Sequence, residues 1–78
     1  MADVQLDARG LKCPLPVLKA RKALKGLGDG QTLEVLATDP GSVDDFEAFC
    51  AVGGYELLEQ THDDNIFRFV IEVAERTS

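Results

Sequence analysis

The sequence predicts an α/β (α+β) fold: a two-layer βαβαββ sandwich with two helices on one face of a mixed four-stranded sheet. Three observations lead there. Apolar residues recur at spacings of three and four in two stretches, as on the buried stripe of a helix. In four other short stretches they alternate with polar residues, as on a half-buried strand. Each helix carries a single apolar stripe, so the two can together cover one face of a four-stranded sheet. The two strand-helix-strand units require parallel pairing with a right-handed crossover, and a closing hairpin supplies an antiparallel pair.

Val4-Gln5-Leu6-Asp7 alternates and reads as the first strand. Ala8 to Lys12 is a loop, with Gly10 free to take a positive φ. From Pro14 to about Gly26 the pattern is helical, with Val17, Ala20, Leu24 and Leu27 on one side and Lys19, Lys22 and Lys25 on the other. Gly26, Gly28 and Gly30 end it. Thr32 to Thr38 is the second strand, with Leu33, Val35 and Ala37 facing one way. Asp39-Pro40 reads as a helix start, Asp39 as N-cap and Pro40 at the first helical position; Ser42 is an alternative cap one turn later. The second helix runs to about Val52 with Val43, Phe46, Phe49 and Cys50 as its stripe, and Gly53-Gly54 stops it. Tyr55–Thr61 and Ile66–Val73 are the last strands, joined by a turn through His62-Asp63-Asp64-Asn65. Phe67, Phe69, Ile71 and Val73 form the inward row of the final strand. The other sheet face holds Leu36, Leu58, Ile66 and Val70, either a modest contact surface or scattered apolar residues. Arg76-Thr77-Ser78 is expected to fray.

At 78 residues there is room for one core only, so residues 1–78 form a single domain. No apolar run approaches the roughly 20 residues that cross a bilayer, and Met1-Ala2-Asp3-Val4 lacks the zones of a signal peptide. Both point to the cytoplasm and away from a membrane. Two cysteines in a reducing compartment predict free thiols rather than a bridge. One histidine and two distant cysteines offer no close ligand pair, so neither a metal nor another cofactor is expected.

The net charge of −6 is unevenly spread. Residues 1–25 carry six basic residues against Asp3 and Asp7, a net +4, while residues 26–78 carry Arg68 and Arg76 against twelve carboxylates, a net −10. The basic cluster is open to two readings: a solvated helix face, or an electropositive collar of Arg9, Lys12, Lys19 and Lys22 that steers acidic partners.

The collar surrounds the candidate catalytic residue, Cys13, which precedes Pro14-Leu15-Pro16 where a loop becomes a helix. Placed as N-cap, with Pro14 at N1 and Pro16 at N3, Cys13 faces the positive end of the helix dipole and the N–H of Leu15. That environment predicts a lowered thiol pKa and a reactive thiolate. The structural alternative is a capping residue, for which cysteine is a poor choice beside Ser, Asp or Asn. Pro16 also disfavours helical geometry at Leu15, so a distorted first turn is expected. His62, the lone histidine, reads as a solvated turn residue, which leaves no Cys-His dyad. No second cysteine stands at Cys-X-X-Cys spacing for a redox pair. One nucleophilic sulfur without base, metal or resolving thiol suits persulfide exchange, in which a thiolate accepts a sulfur atom and later surrenders it. Cys50 falls on the buried stripe of the second helix and reads as a core residue.

Leu6-Asp7-Ala8-Arg9-Gly10-Leu11-Lys12-Cys13-Pro14-Leu15-Pro16 resembles the signature of the TusA/SirA-like sulfur carriers, in which Cys-Pro-X-Pro opens the first helix. The likeness continues through Leu36–Ser42 and Asp45–Cys50 and covers essentially the whole chain. It implies a βαβαββ sandwich, a persulfide on Cys13 supported by Gly10, Pro14 and Pro16, and a basic docking surface of Arg9, Lys12, Lys19 and Lys22. It also implies a sulfurtransferase relaying sulfur from cysteine desulfurases or rhodaneses to DsrE-type acceptors. The pathway implied is dissimilatory sulfur metabolism, which the wording Ala37–Val43 resembles, or 2-thiouridine synthesis in transfer RNA. Direct nucleic-acid contact is not expected, given the overall acidity and the absence of a reader motif, and a small carrier serving several partners is expected to be a monomer. The contrasting reading is a non-catalytic regulatory or protein-interaction module in which Cys13 only shapes the loop.

Overall fold

The computed structural model describes residues 3–73; the tail expected to fray lies outside them. Six elements follow in the order β1 (Val4–Ala8), α1 (Leu15–Leu24), β2 (Thr32–Ala37), α2 (Ser42–Gly53), β3 (Glu56–Asp63) and β4 (Ile66–Glu72). The sheet order is β1-β2-β4-β3, with β1 parallel to β2 and both β4 pairings antiparallel. This is the mixed sheet that the sequence predicts.

Periodicity explains the core. Leu33, Val35 and Ala37 alternate with half-buried residues along β2 and are fully buried. In register beside them lie Ala8 on β1 and Phe69 and Ile71 on β4. Ala20 and Leu24 from α1, and Phe46 and Cys50 from α2, complete one cluster against the same face. The rings of Phe46 and Phe69 stack with centroids 4.5 Å apart. Burying side chains of this size contributes about 1.5–3 kcal/mol each, the main force holding both helices on the sheet.

Several boundaries differ from expectation. α1 ends at Leu24, capped by Lys25, because its last carbonyls are taken by the N–H groups of the Gly26-Leu27 turn. α2 begins at Ser42 with Gly41 as N-cap, so neither Asp39 nor Ser42 caps it; the Asp39 carboxylate is engaged elsewhere. Its C-cap is Gly54 at φ 76°, a left-handed position that favours glycine. The last turn is shorter than expected: only Asp64 and Asn65 take positive φ, a two-residue turn whose twist matches the flanking strands. His62 therefore belongs to β3, where its ring stacks on Phe67 at 4.2 Å.

The helix-free sheet face is covered by charge. The Arg68 guanidinium bonds Glu34 on β2 and Glu59 on β3, the two residues in register with Val70. That bridge accounts for Val70 being only 6% exposed on a face with no helix. Leu36 and Ile66 are half-buried, and Leu58, the extra residue of a bulge in β3, is exposed. Among the described residues no helix is long and apolar enough to cross a membrane.

Candidate functional site

Parallel pairing of β1 with β2 ends at Ala8 opposite Ala37, so the chain leaves both strands at one end of the sheet. The two loops that follow are tied together. Gly10, at φ 81°, donates its N–H to Thr38 Oγ1 at 2.9 Å, and the Cys13 N–H donates to Asp39 Oδ2 at 2.7 Å. A side chain at Gly10 would be strained by that φ. Cys13 is thus held by its backbone on a loop that is fixed at both ends.

The thiol is not where helix logic places it. The N-cap is Pro14 (φ −98°, ψ 17°), reached through a cis Cys13–Pro14 bond; Leu15 is N1 and Pro16 is N2. The shift of one position follows from the Leu15 N–H, which bonds the Lys12 carbonyl at 2.8 Å in a tight turn instead of facing the sulfur. Pro16 is buried and anchors the first turn to the core. Cys13 is exposed, and its Sγ donates to Asp45 Oδ2 on α2. Gly41 lies against it, close enough that a Cβ there would stand 3.9 Å from Sγ.

This corrects the expected thiolate. The Cys13 thiol is pushed up to about 11, first by its hydrogen bond to Asp45, then by desolvation and by the negative charges of Asp45 and Asp39. A carboxylate that accepts the thiol's proton favours the neutral form. Near neutral pH the resting sulfur is a thiol. Cys50 is 4% exposed and is likewise pushed up to about 11, by burial alone.

The four expected collar residues do not act alike. Arg9 forms a two-pronged contact with Asp7, Nε to Oδ1 at 2.9 Å and Nη2 to Oδ2 at 3.0 Å, which holds the Asp7 carboxyl down at about 2. Lys12, Lys19 and Lys22 are exposed and form no ion pair among the described residues. No cation hydrogen-bonds to the sulfur among those residues. Nor do any three His, Cys, Asp or Glu side chains among them gather as metal ligands.

Next to the sulfur a cavity of about 690 Å³ runs between α1 and α2. Pro14 and Asp45, the two residues bonded to Cys13 by chain and by hydrogen bond, form part of its lining. Leu18, Phe49, Val52 and Tyr55 supply apolar walls, and Arg21 contributes charge from α1. Leu18 is 50% and Val52 90% exposed, so these side chains belong to the groove and not to the core.

Sequence reasoning missed both this groove and Asp45. The groove's signal was present: Leu18 falls outside the core stripe of α1, as Ala48 and Val52 do on α2. For Asp39 and Asp45 the only signal was topological, because parallel β1 and β2 must bring their following loops together.

The family model described as sulfurtransferase TusA matches residues 4–73. The sulfur carrier protein TusA of Allochromatium vinosum is 51% identical over 70 residues, spanning 90% of this chain and 92% of that one. Protein NMA0882 of Neisseria meningitidis serogroup A is 51% identical over 72 residues, 92% of this chain and 97% of that one. Among solved structures, the SirA-like protein of Desulfitobacterium hafniense superposes with a TM-score of 0.81 at 31% identity, covering 92% of this chain and 99% of that one.

Proposed function

The chain belongs to the TusA sulfurtransferase family, and from that premise we propose that it is a sulfur carrier loaded at Cys13. A donor persulfide of the desulfurase or rhodanese type passes its terminal sulfur to Cys13, which holds it as a persulfide. A protein thiol, of the DsrE type, then removes it. The relay serves dissimilatory sulfur metabolism or transfer-RNA thiolation in the cytoplasm, where free thiols persist. Gly10, Pro14 and Pro16 shape the loop that presents the sulfur, and Lys12, Lys19 and Lys22 attract acidic partners. Arg9 is committed to Asp7 and contributes less.

One observation carries this reading. Cys13 is exposed at the mouth of an apolar groove while Cys50 is sealed in the core. A sulfur that must meet a partner's sulfur needs access, and a groove beside it gives the partner a surface to grip. Mass spectrometry after incubation with a charged desulfurase tests it. Wild type and Cys50→Ala gain one reductant-labile sulfur atom and Cys13→Ser gains none; labelling that survives in Cys13→Ser defeats the assignment.

A further inference from the structure

Two carboxylates meet Cys13 from elements packed against its loop. Asp45 of α2 accepts the Sγ proton, and Asp39 of the β2–α2 loop accepts the backbone N–H. On the cysteine's own segment the neighbouring charge is Lys12, which is exposed and does not bond the sulfur. The thiol therefore already directs its proton at a carboxylate oxygen. A nucleophile hydrogen-bonded to a base is the arrangement that proton transfer requires. Asp39 is occupied by the N–H and keeps Cys13 in place, which leaves Asp45 as the proton's destination.

Resting on the persulfide reading above, we propose that Asp45 is the proton-transfer residue of the carrier, taking the Cys13 proton on loading, passing it to water, and relaying a proton to Sγ on discharge. In loading, a lone pair on Sγ bonds the terminal sulfur of a donor R–S–SH. The donor S–S bond breaks, its electron pair departs on R–S⁻, and the thiol proton passes to the Asp45 carboxylate. The products are Cys13–S–SH, Asp45–COOH and R–S⁻, and Asp45 then gives its proton to water. In discharge an acceptor thiolate R′–S⁻ bonds the terminal sulfur, and the Cys13 S–S bond breaks. Sγ leaves as thiolate and is reprotonated from water through the Asp45 carboxylate as R′–S–SH departs. Atoms and charge balance over the cycle, with no outside oxidant or reductant. Holding the sulfur as a thiol between partners also protects it, because alkylation and oxidation both select for thiolate.

The test compares wild type, Asp45→Asn and Asp45→Glu in a Cys50→Ala background between about pH 6 and 8, below the titration of an ordinary thiol. Each is alkylated with iodoacetamide and, separately, loaded from glutathione persulfide. Taking the ratio of wild type to Asp45→Asn at each pH cancels the donor's own ionisation. For alkylation, Asp45→Asn is faster by about tenfold at every pH, because both thiolates rise in parallel. For loading, the ratio of wild type to Asp45→Asn falls about tenfold per pH unit, because only the variant must wait for thiolate. Asp45→Glu restores wild-type behaviour in both assays. A loading ratio that stays constant and equals the alkylation ratio overturns the proposal. A wild type that takes up no sulfur at Cys13 takes down the persulfide reading and this inference with it.

Discussion

Raising the pH through the titration of Cys13 probes the site directly. With its thiol pushed up to about 11, only about one molecule in 3,000 carries thiolate at pH 7.5, against about one in ten for an ordinary thiol at 8.5. That is a deficit of about 300-fold. A more basic thiolate is also more nucleophilic, and a Brønsted slope of about 0.4–0.5 recovers about tenfold to twentyfold. The Cys50→Ala protein should thus react with iodoacetamide about 20-fold more slowly than free cysteine, with a rate that keeps climbing to about pH 11. Stopped alkylation read by mass spectrometry across the pH range measures both quantities. The same displacement fixes the sign of a stability effect. The unfolded thiol releases its proton first, so the folded state loses stability as the pH climbs from about 8.5 toward the folded value. An inflection at or below 8.5, the behaviour of a thiolate favoured by a helix N-terminus, would refute the role given to the two carboxylates.

Two further outcomes are expected. Gly53→Ala places a Cβ 2.8 Å from two ring carbons of Tyr55, at the end of α2 where Tyr55 also stacks on Phe49. Urea denaturation should register a loss of about 1–3 kcal/mol, and an unchanged midpoint would show that the ring yields freely. Neutralising Lys12 and Lys19 together should slow association with a protein sulfur donor at low ionic strength and have little effect at about 1 M salt. Rates insensitive to both changes would rule out steering by these lysines.

The sequence carried the fold because the fold rests on repeating patterns. Alternation along Leu33, Val35 and Ala37, and helical spacing through Ala20, Leu24, Phe46 and Cys50, are properties of the chain that survive into the core. Cys13 was legible from its two prolines alone. Its protonation state was not, because the residue that sets it lies 32 positions away and meets it only once α2 packs beside the first loop. Helix-dipole reasoning sees the local field, and here two carboxylates from outside α1 outweigh it. The start of α1 moved by one residue for a local reason, the turn that Leu15 makes to Lys12. His62 was assigned to the turn because Asp63, Asp64 and Asn65 all favour turns. Which two of them close the hairpin depends on the register with Ile66 and Phe67, and the strands decide that register.

An open sheet has two rims, each with unpaired peptide groups that invite another chain. On the β3 rim the bulge at Leu58 breaks the ladder spacing, and Glu56 and Asp63 add negative charge along it. A second copy aligning there would meet mismatched donors and acceptors and mutual repulsion. The kink in β3 therefore guards a crowded solution of these molecules against stacking edge to edge into fibrils.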